Sequence, residues 1–503
     1  MSSTRMSRRH FLQSGALAAG GVLLAACQPQ VVERTVQSTV EVEVPVEVEV
    51  EVEREVAVTA TPVRDVSNNP NAATGVPYEI KSAINDGEPI NLTFWEYHPP
   101  RADYETKWCQ EYQAIYPNVS IEMTQIPWAD YYTKLITNIP AGQGPTFYKM
   151  HMNYLTPFCE GGLMDPMPPH VADQAHLTAH WAGFEAGLFN CPGSDDRYFV
   201  PMGAQLPVLY INRTLWEEAG LTDADIPTSW DQLHEVAKAL TKTDGAGRIV
   251  QAGFQPDSTR FAWSGLYQQG RYLFTGDRQH VQLNNDEGYN VFEFLRKVFI
   301  DDPVTDPEFP GIGEAFPSGQ SAMVMSESFF VSTIRQNAPD LDWMAVLMPT
   351  FSGELPPAVG RMHFAVDVTI NSQLSEKERE VAWDFWHFIY ANDERLVHTI
   401  SLGQGMLPAY DKLLEHPAVK ADQHAAALPP GMEYAIPIGE LPDLWTMTVQ
   451  SMVLDPILLT GASIEESMQT AEAEINNLLG QKESWNILER NYKHDDLMIP
   501  NQP

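Results

Sequence analysis

Between residues 90 and 152 the spacing of apolar positions changes period several times. Ile90–Tyr97 (INLTFWEY) reads as a strand, Tyr104–Tyr116 as a helix, Val119–Gln125 as a second strand and Trp128–Ile139 as a second helix. Ala141-Gly-Gln-Gly-Pro145 then turns the chain into a third strand, Thr146–Met152. Strands alternating with helices call for a parallel sheet with helices on both faces. Further on, Pro207–Ile211 has the continuous apolar run of a buried strand. Thr228 and Ser229 can cap a helix that turns Leu233, Val236, Ala237 and Leu240 to one side. Ser375-Glu-Lys-Glu378 is a capping box, followed by an apolar stripe at Ala382, Phe385, Trp386 and Ile389.

The N-terminal part is a different material. Ser7-Arg8-Arg9-His10-Phe11-Leu12 precedes a weakly apolar run, Ala16 to Leu24, and then Leu24-Ala25-Ala26-Cys27. Twin arginines before a mild apolar run are similar to a Tat export signal, and Leu-Ala-Ala-Cys resembles a lipobox whose cysteine becomes lipidated. Within residues 28–85, the run Thr39 to Val58 is a near-perfect Val/Glu alternation. Alternation favours a strand, but one face would be entirely Glu and Pro45 interrupts the pairing. The expectation is an extended tether with a maximal reach on the order of 190 Å. The competing expectation is a self-associating β-stalk. In either case folding starts near Glu88.

Composition narrows the classes. A chain of 503 residues exceeds one ordinary core, so at least two folding units are expected. The net charge of −36 argues against nucleic acid and against a polybasic grip on lipid. No segment besides the leader offers about 18 uninterrupted apolar residues. Cys27, Cys109, Cys159 and Cys191 form no metal-ligand spacing. The last three allow one disulfide in three possible pairings, or three free thiols.

Five motifs in order carry a resemblance to a known family. Residues 198–254 run from the strand at Pro207 through Asn212-Arg213, Leu215-Trp216 and Gly220 into Pro-Thr-Ser-Trp-Asp. This order resembles a signature of extracellular solute-binding proteins, the ligand-capturing subunits of ABC importers, and most closely their sugar-binding class. The run from residue 90 to Gly161-Gly162-Leu163 is similar as well, with Thr146 where the family has Asp. So are Phe316 to Met325, the helix within 370–394, and Ala471–Leu479. The resemblance covers about 88–480.

It implies an α/β, two-lobe periplasmic-binding-protein fold of type II-like form. Each lobe is a mostly parallel sheet flanked by helices, and a multi-crossing hinge joins them. Lobe one would hold 86–205 and 364–425, and lobe two 206–363 and 426–490, with a tail at 491–503. The implied partners are a small-molecule ligand, carbohydrate in class, and ABC permease subunits. The chain would be a monomer held to the membrane by lipid, without cofactor.

Ligands of open α/β sheets sit beyond the carboxyl ends of strands. That rule selects Trp95, Glu96, Tyr97 and His98 after strand one, and His151 between Met150 and Met152 after strand three. It also selects Gln205 at the first crossing, then Trp263, Glu327 and Phe329, with Arg361 and His363 before the second crossing. Trp445 opens a C-terminal helix. The resemblance places sugar-stacking rings at Trp263, Phe329 and Trp445. Flat aromatics suit the C–H face of a pyranose, while carboxylates and amides suit its hydroxyls. Trp263 and Phe329 serve equally well as core residues, Glu96 as a solvated charge, and the histidines as hydrogen-bonding groups rather than metal ligands. The sequence lacks GxSxG, GxxxxGK[ST], HExxH and GxGxxG. The alternatives to a transport receptor are a surface glycosidase or lyase and a stalk-displayed adhesin.

Overall fold

The computed structural model describes residues 72–481, apart from 185–188, 192–193, 276–278, 355–359, 365–367, 429–433 and 438–442. Cys27 and its leader, most of the tether and the 491–503 tail lie outside the described residues. The strands in chain order are β1 (Ile90–Glu96), β2 (Val119–Gln125), β3 (Phe147–Lys149), β4 (Gly203–Gln205) and β5 (Pro207–Asn212). Then come β6 (Lys242–Thr243), β7 (Ile249–Gln251), β8 (Gln255–Pro256), β9 (Met323–Glu327) and β10 (Trp343–Leu347). The last are β11 (Gly360–Phe364), β12 (Val368–Ile370), β13 (Leu407–Pro408) and β14 (Ala435–Pro437).

The first sheet has the order β12-β3-β1-β2. β1 is parallel to β2 from Ile90 opposite Val119 to Glu96 opposite Gln125, and parallel to β3. β12 closes the edge antiparallel. β3 is shorter than expected because its flanks have other partners. Thr146 and Thr93 each accept the other's N–H on a side-chain oxygen, both at 3.1 Å. The helix after β1, Pro99–Ile115, starts five residues earlier than its periodicity suggests. Proline is well tolerated in a first helical turn, whose N–H groups have no intrahelical partner. The capping box at Ser375 forms, and Ala382, Phe385, Trp386 and Ile389 are all buried.

The second sheet, β10-β5-β9-β8, corrects the expectation of a mostly parallel arrangement. β5 runs antiparallel to both β10 and β9, and only β8 and β9 are parallel. The reason is how β5 arrives. It continues from β4 across one residue, Leu206, instead of entering by a helical crossover. All six positions of β5 and all five of β9 are buried, as strands covered on both faces require.

A third sheet, β13-β4-β11-β14, gathers the short strands that feed the other two. Gly203 in β4 is required there, since a Cβ would lie 2.4 Å from the Leu407 carbonyl oxygen. Gly405, at φ +65°, permits both the backbone turn and close packing on Val331.

The described fold already includes residues from 72 on, ahead of the expected start near Glu88. Ala72, Ala73, Thr74, Tyr78 and Ile84 are buried. The Trp181 indole donates to the Ala73 carbonyl at 2.7 Å, and His387 Nε2 donates to that of Val76 at 2.7 Å. Tyr78 and Tyr112 donate to Asp384 Oδ2 at 2.9 and 2.8 Å, while Lys81 pairs with its Oδ1 at 2.8 Å. Burial, then the nearby Asp384 charge, pushes both phenols well above the usual tyrosine range. Cys159 and Cys191 form a disulfide with a Cα–Cα distance of 5.8 Å, and Cys109 is a buried thiol. Among the described residues no helix is long and apolar enough to cross a membrane.

Candidate functional site

Because β1, β2 and β3 are parallel, their carboxyl ends share one edge of the first sheet. Glu96 ends β1 and is fully buried. Its Oε1 accepts the N–H groups of Tyr97 and His98, each at 2.7 Å. A carboxylate here also faces the start of the helix Pro99–Ile115, where the backbone dipole favours negative charge. Burial replaces the solvated alternative weighed for this residue. Trp95, its neighbour on the opposite side of the strand, is half-buried, and its carbonyl accepts the Tyr131 hydroxyl at 2.9 Å. Tyr131 in turn accepts the Lys149 N–H at 2.7 Å and so ties β1 to β3.

Past these ends the side chains are aromatic. Trp128 follows β2 and contacts Tyr97 after β1, with ring centroids 4.7 Å apart, and His151 after β3 at 5.4 Å. The His151 ring lies 4.5 Å from that of His363 on β11. His363 pairs with Gln205 on β4, whose amide sits 3.8 Å from the Met406 sulfur. Tyr97, His151, Gln205 and His363 are therefore linked in one group through Trp128 and the β4–β11 pairing.

The second sheet offers a smaller, charged group. Glu327 ends β9 and is buried. Arg260 Nε lies 3.0 Å from Glu327 Oε2, and its guanidinium also pairs with Asp257, the cap of the helix Ser258–Gln268. The same guanidinium sits 5.6 Å from the centre of the half-buried Phe329 ring. Burial opposes the Arg260 charge, but the Asp257 and Glu327 carboxylates outweigh it and hold its pKa above the usual value.

The expected wall of three aromatics is not what the described residues present. Trp263 is 2% exposed and belongs to the buried core, so its ring has no open face here. Its helix is buried at nine of eleven positions, which leaves the indole surrounded. The backbone of Arg361 lies in β11 and that of Trp445 in the helix Asp443–Val449. Both of those side chains lie outside the described residues.

Two residues at these edges escaped the sequence reading. Trp128 was legible: the rule applied after strands one and three holds equally after strand two, where Pro127-Trp128 stands. Arg260 carries no such signal, because its partner Glu327 lies 67 positions away in the sequence. No group of three or more His, Cys, Asp or Glu among the described residues could hold a metal ion.

Comparison with known proteins gives the family and the fold. A family model for bacterial extracellular solute-binding protein matches residues 98–395. A putative binding protein of Brucella abortus (strain 2308) is 23% identical over 390 residues, covering 75% of this chain and 90% of that one. The fold is similar to an ABC substrate-binding protein from Listeria monocytogenes in complex with cycloalternan. That match has a TM-score of 0.66 at 20% identity and covers 78% of this chain and 100% of the other. A maltose/maltodextrin-binding domain from Bdellovibrio bacteriovorus bound to maltotriose also gives 0.66, at 15% identity, with coverage of 78% and 100%. At such identities the likeness is one of fold, a two-lobe α/β architecture.

Proposed function

The chain belongs to the bacterial extracellular solute-binding proteins, and from that membership we propose that it captures a sugar or oligosaccharide between two closing lobes. It then hands the ligand to the membrane subunits of an ABC permease, and no bond is broken.

One observation carries this reading: each main sheet ends in a group that pairs rings with hydrogen-bonding side chains. Tyr97, Trp128 and His151 stand at the edge of the first, and Glu327, Arg260 and Phe329 at the edge of the second. Rings cover the apolar face of a pyranose, and carboxylates, amides and imidazoles pair with its hydroxyls. Arg260 already has two carboxylate partners. That disfavours an anionic ligand at this edge and leaves acceptor capacity for hydroxyl donors.

Lobe one comprises 86–205 and 364–425, extended at its start by 72–85, and lobe two 206–363 and 426–490. The chain crosses at β4–β5, at β11 and near 422–432, and bending at these short segments closes the lobes. Tat export followed by lipidation of Cys27 holds the protein, as a monomer, at the outer face of the cell membrane. In that reading Cys27→Ala releases it from membranes.

A thermal-shift screen tests the ligand class. The panel contains cycloalternan, maltotriose, other sugars, polyols, amino acids and phosphate esters. A specific sugar at 100 times its Kd stabilises the fold by about 2.7 kcal/mol. Stabilisation by an amino acid or a phosphate ester, with no response to any sugar, contradicts the proposal.

A further inference from the structure

We infer that Trp128 is the ring-stacking platform of the first lobe, on which a pyranose lays its apolar C–H face; this deepens the carbohydrate reading above and rests on it. Three observations lead there. Trp128 is the first residue of the helix Trp128–Asn138, just past the carboxyl end of β2. That end is in register with the end of β1, so the indole stands at the edge where the parallel strands terminate. Second, Trp128 is 40% exposed, whereas every other tryptophan with a described side chain is buried or half-buried.

Third, the ring is held. Tyr97, Tyr132 and His151 surround it at centroid distances of 4.7, 5.3 and 5.4 Å, with interplanar angles of 69°, 81° and 72°. Steep contacts on several sides fix an indole in one orientation while leaving part of it open. Pro127, at φ −53°, sets the helix start and restricts the backbone beneath it. A rigid aromatic that is already placed loses little conformational freedom when a ligand arrives.

The chemistry narrows the ligand. A pyranose with several axial hydrogens on one side presents a flat apolar patch that matches an indole face. An acyclic polyol has the hydroxyls but no such patch. Trp128 thus selects for the ring, and Tyr97, His151 and their hydrogen-bonding neighbours address its rim. Leaving so large an apolar surface in water works against folding, a cost that a stacked ligand removes.

The test is titration calorimetry on the full-length protein, with maltotriose and cellobiose as pyranose probes and sorbitol as the acyclic control. Wild type, W128A and W128F are compared, each first checked by thermal melting. The inference predicts that W128A melts normally and binds the preferred pyranoside roughly ten-fold or more weakly, with W128F in between. It also predicts a ligand-induced change in tryptophan emission that W128F loses while calorimetry still detects binding. If W128A fails to fold, W128F and its emission decide. Equal affinity of the variants and wild type for the sugar overturns the Trp128 assignment and leaves the sugar reading intact. A wild-type protein that binds no pyranoside of the thermal-shift panel defeats the carbohydrate reading itself, and this inference with it.

Discussion

Lys149 and Glu105 form an ion pair in which neither side chain has any solvent exposure. Lys149 ends β3, two residues before His151, so the pair supports the edge that carries the rings. Breaking a buried pair by removing one partner strands the other charge. Glu105→Gln is therefore expected to lower stability by roughly 3–5 kcal/mol in chemical denaturation, far more than the same change at exposed Glu122. A second residue-scale expectation concerns acid. Burial, partly offset by the bond to the Gly405 carbonyl, brings His424 from 6.5 down to about 4. Neighbouring Arg335 lowers it further and Asp422 acts the other way. The folded value lies below the unfolded one, so the neutral imidazole contributes stability that is complete above about pH 6.5. It is lost as the pH falls towards 4, by roughly 3 kcal/mol. His387, lowered chiefly by burial, adds in the same direction. Melting temperature measured from pH 7 to 4 should fall, and fall less in His424→Gln. At this scale the sequence pointed to residues at or just past a strand end, such as Glu96, Tyr97 and His151. Arg260 stayed hidden because its role depends on a partner brought near only by folding.

Elements long enough to show a period were legible. β2 has the expected bounds, and the helices at 230–240 and 376–390 begin at the anticipated caps. Ser375→Ala removes one half of a capping box and should cost about 1 kcal/mol in a denaturant titration. β4, β12 and β14 have three residues each and β13 has two, too few for any alternation to register. Their positions come from long-range pairing, which sequence pattern does not report. The same holds for residues 72–84. This segment has no regular spacing, yet its anchors at Ala73, Val76 and Tyr78 each meet a partner between 108 and 311 positions later in the sequence. A chain shortened to begin at Glu88 is expected to lose roughly 2–5 kcal/mol through exposed apolar surface and an Asp384 stripped of Tyr78 and Lys81, with Tyr112 still donating to it. An unchanged denaturation midpoint would mean that the segment contributes nothing to the fold.

For the whole molecule, the family's order of motifs disclosed the two-lobe architecture, while the strand directions of the second sheet came only from the structure. The difference follows from β5, which enters straight from β4 and so reverses against its neighbours. Those same short connections make closure physically reasonable. Few residues need to change conformation for two packed sheets to move as units. On the proposed reading, a ligand shifts that equilibrium only by its differential affinity for a closed form that completes contacts from both edges at once. The most direct measurement is a pair of spin labels, one at exposed Asp130 beyond β2 and one at exposed Glu308. Glu308 lies two residues before the Pro310 carbonyl that accepts the Gln255 amide at 2.9 Å. The distance between them is read with and without a sugar whose binding calorimetry has confirmed. The account predicts a shorter distance at saturation; an unchanged distance would contradict capture by closure and leave a rigid receptor in its place.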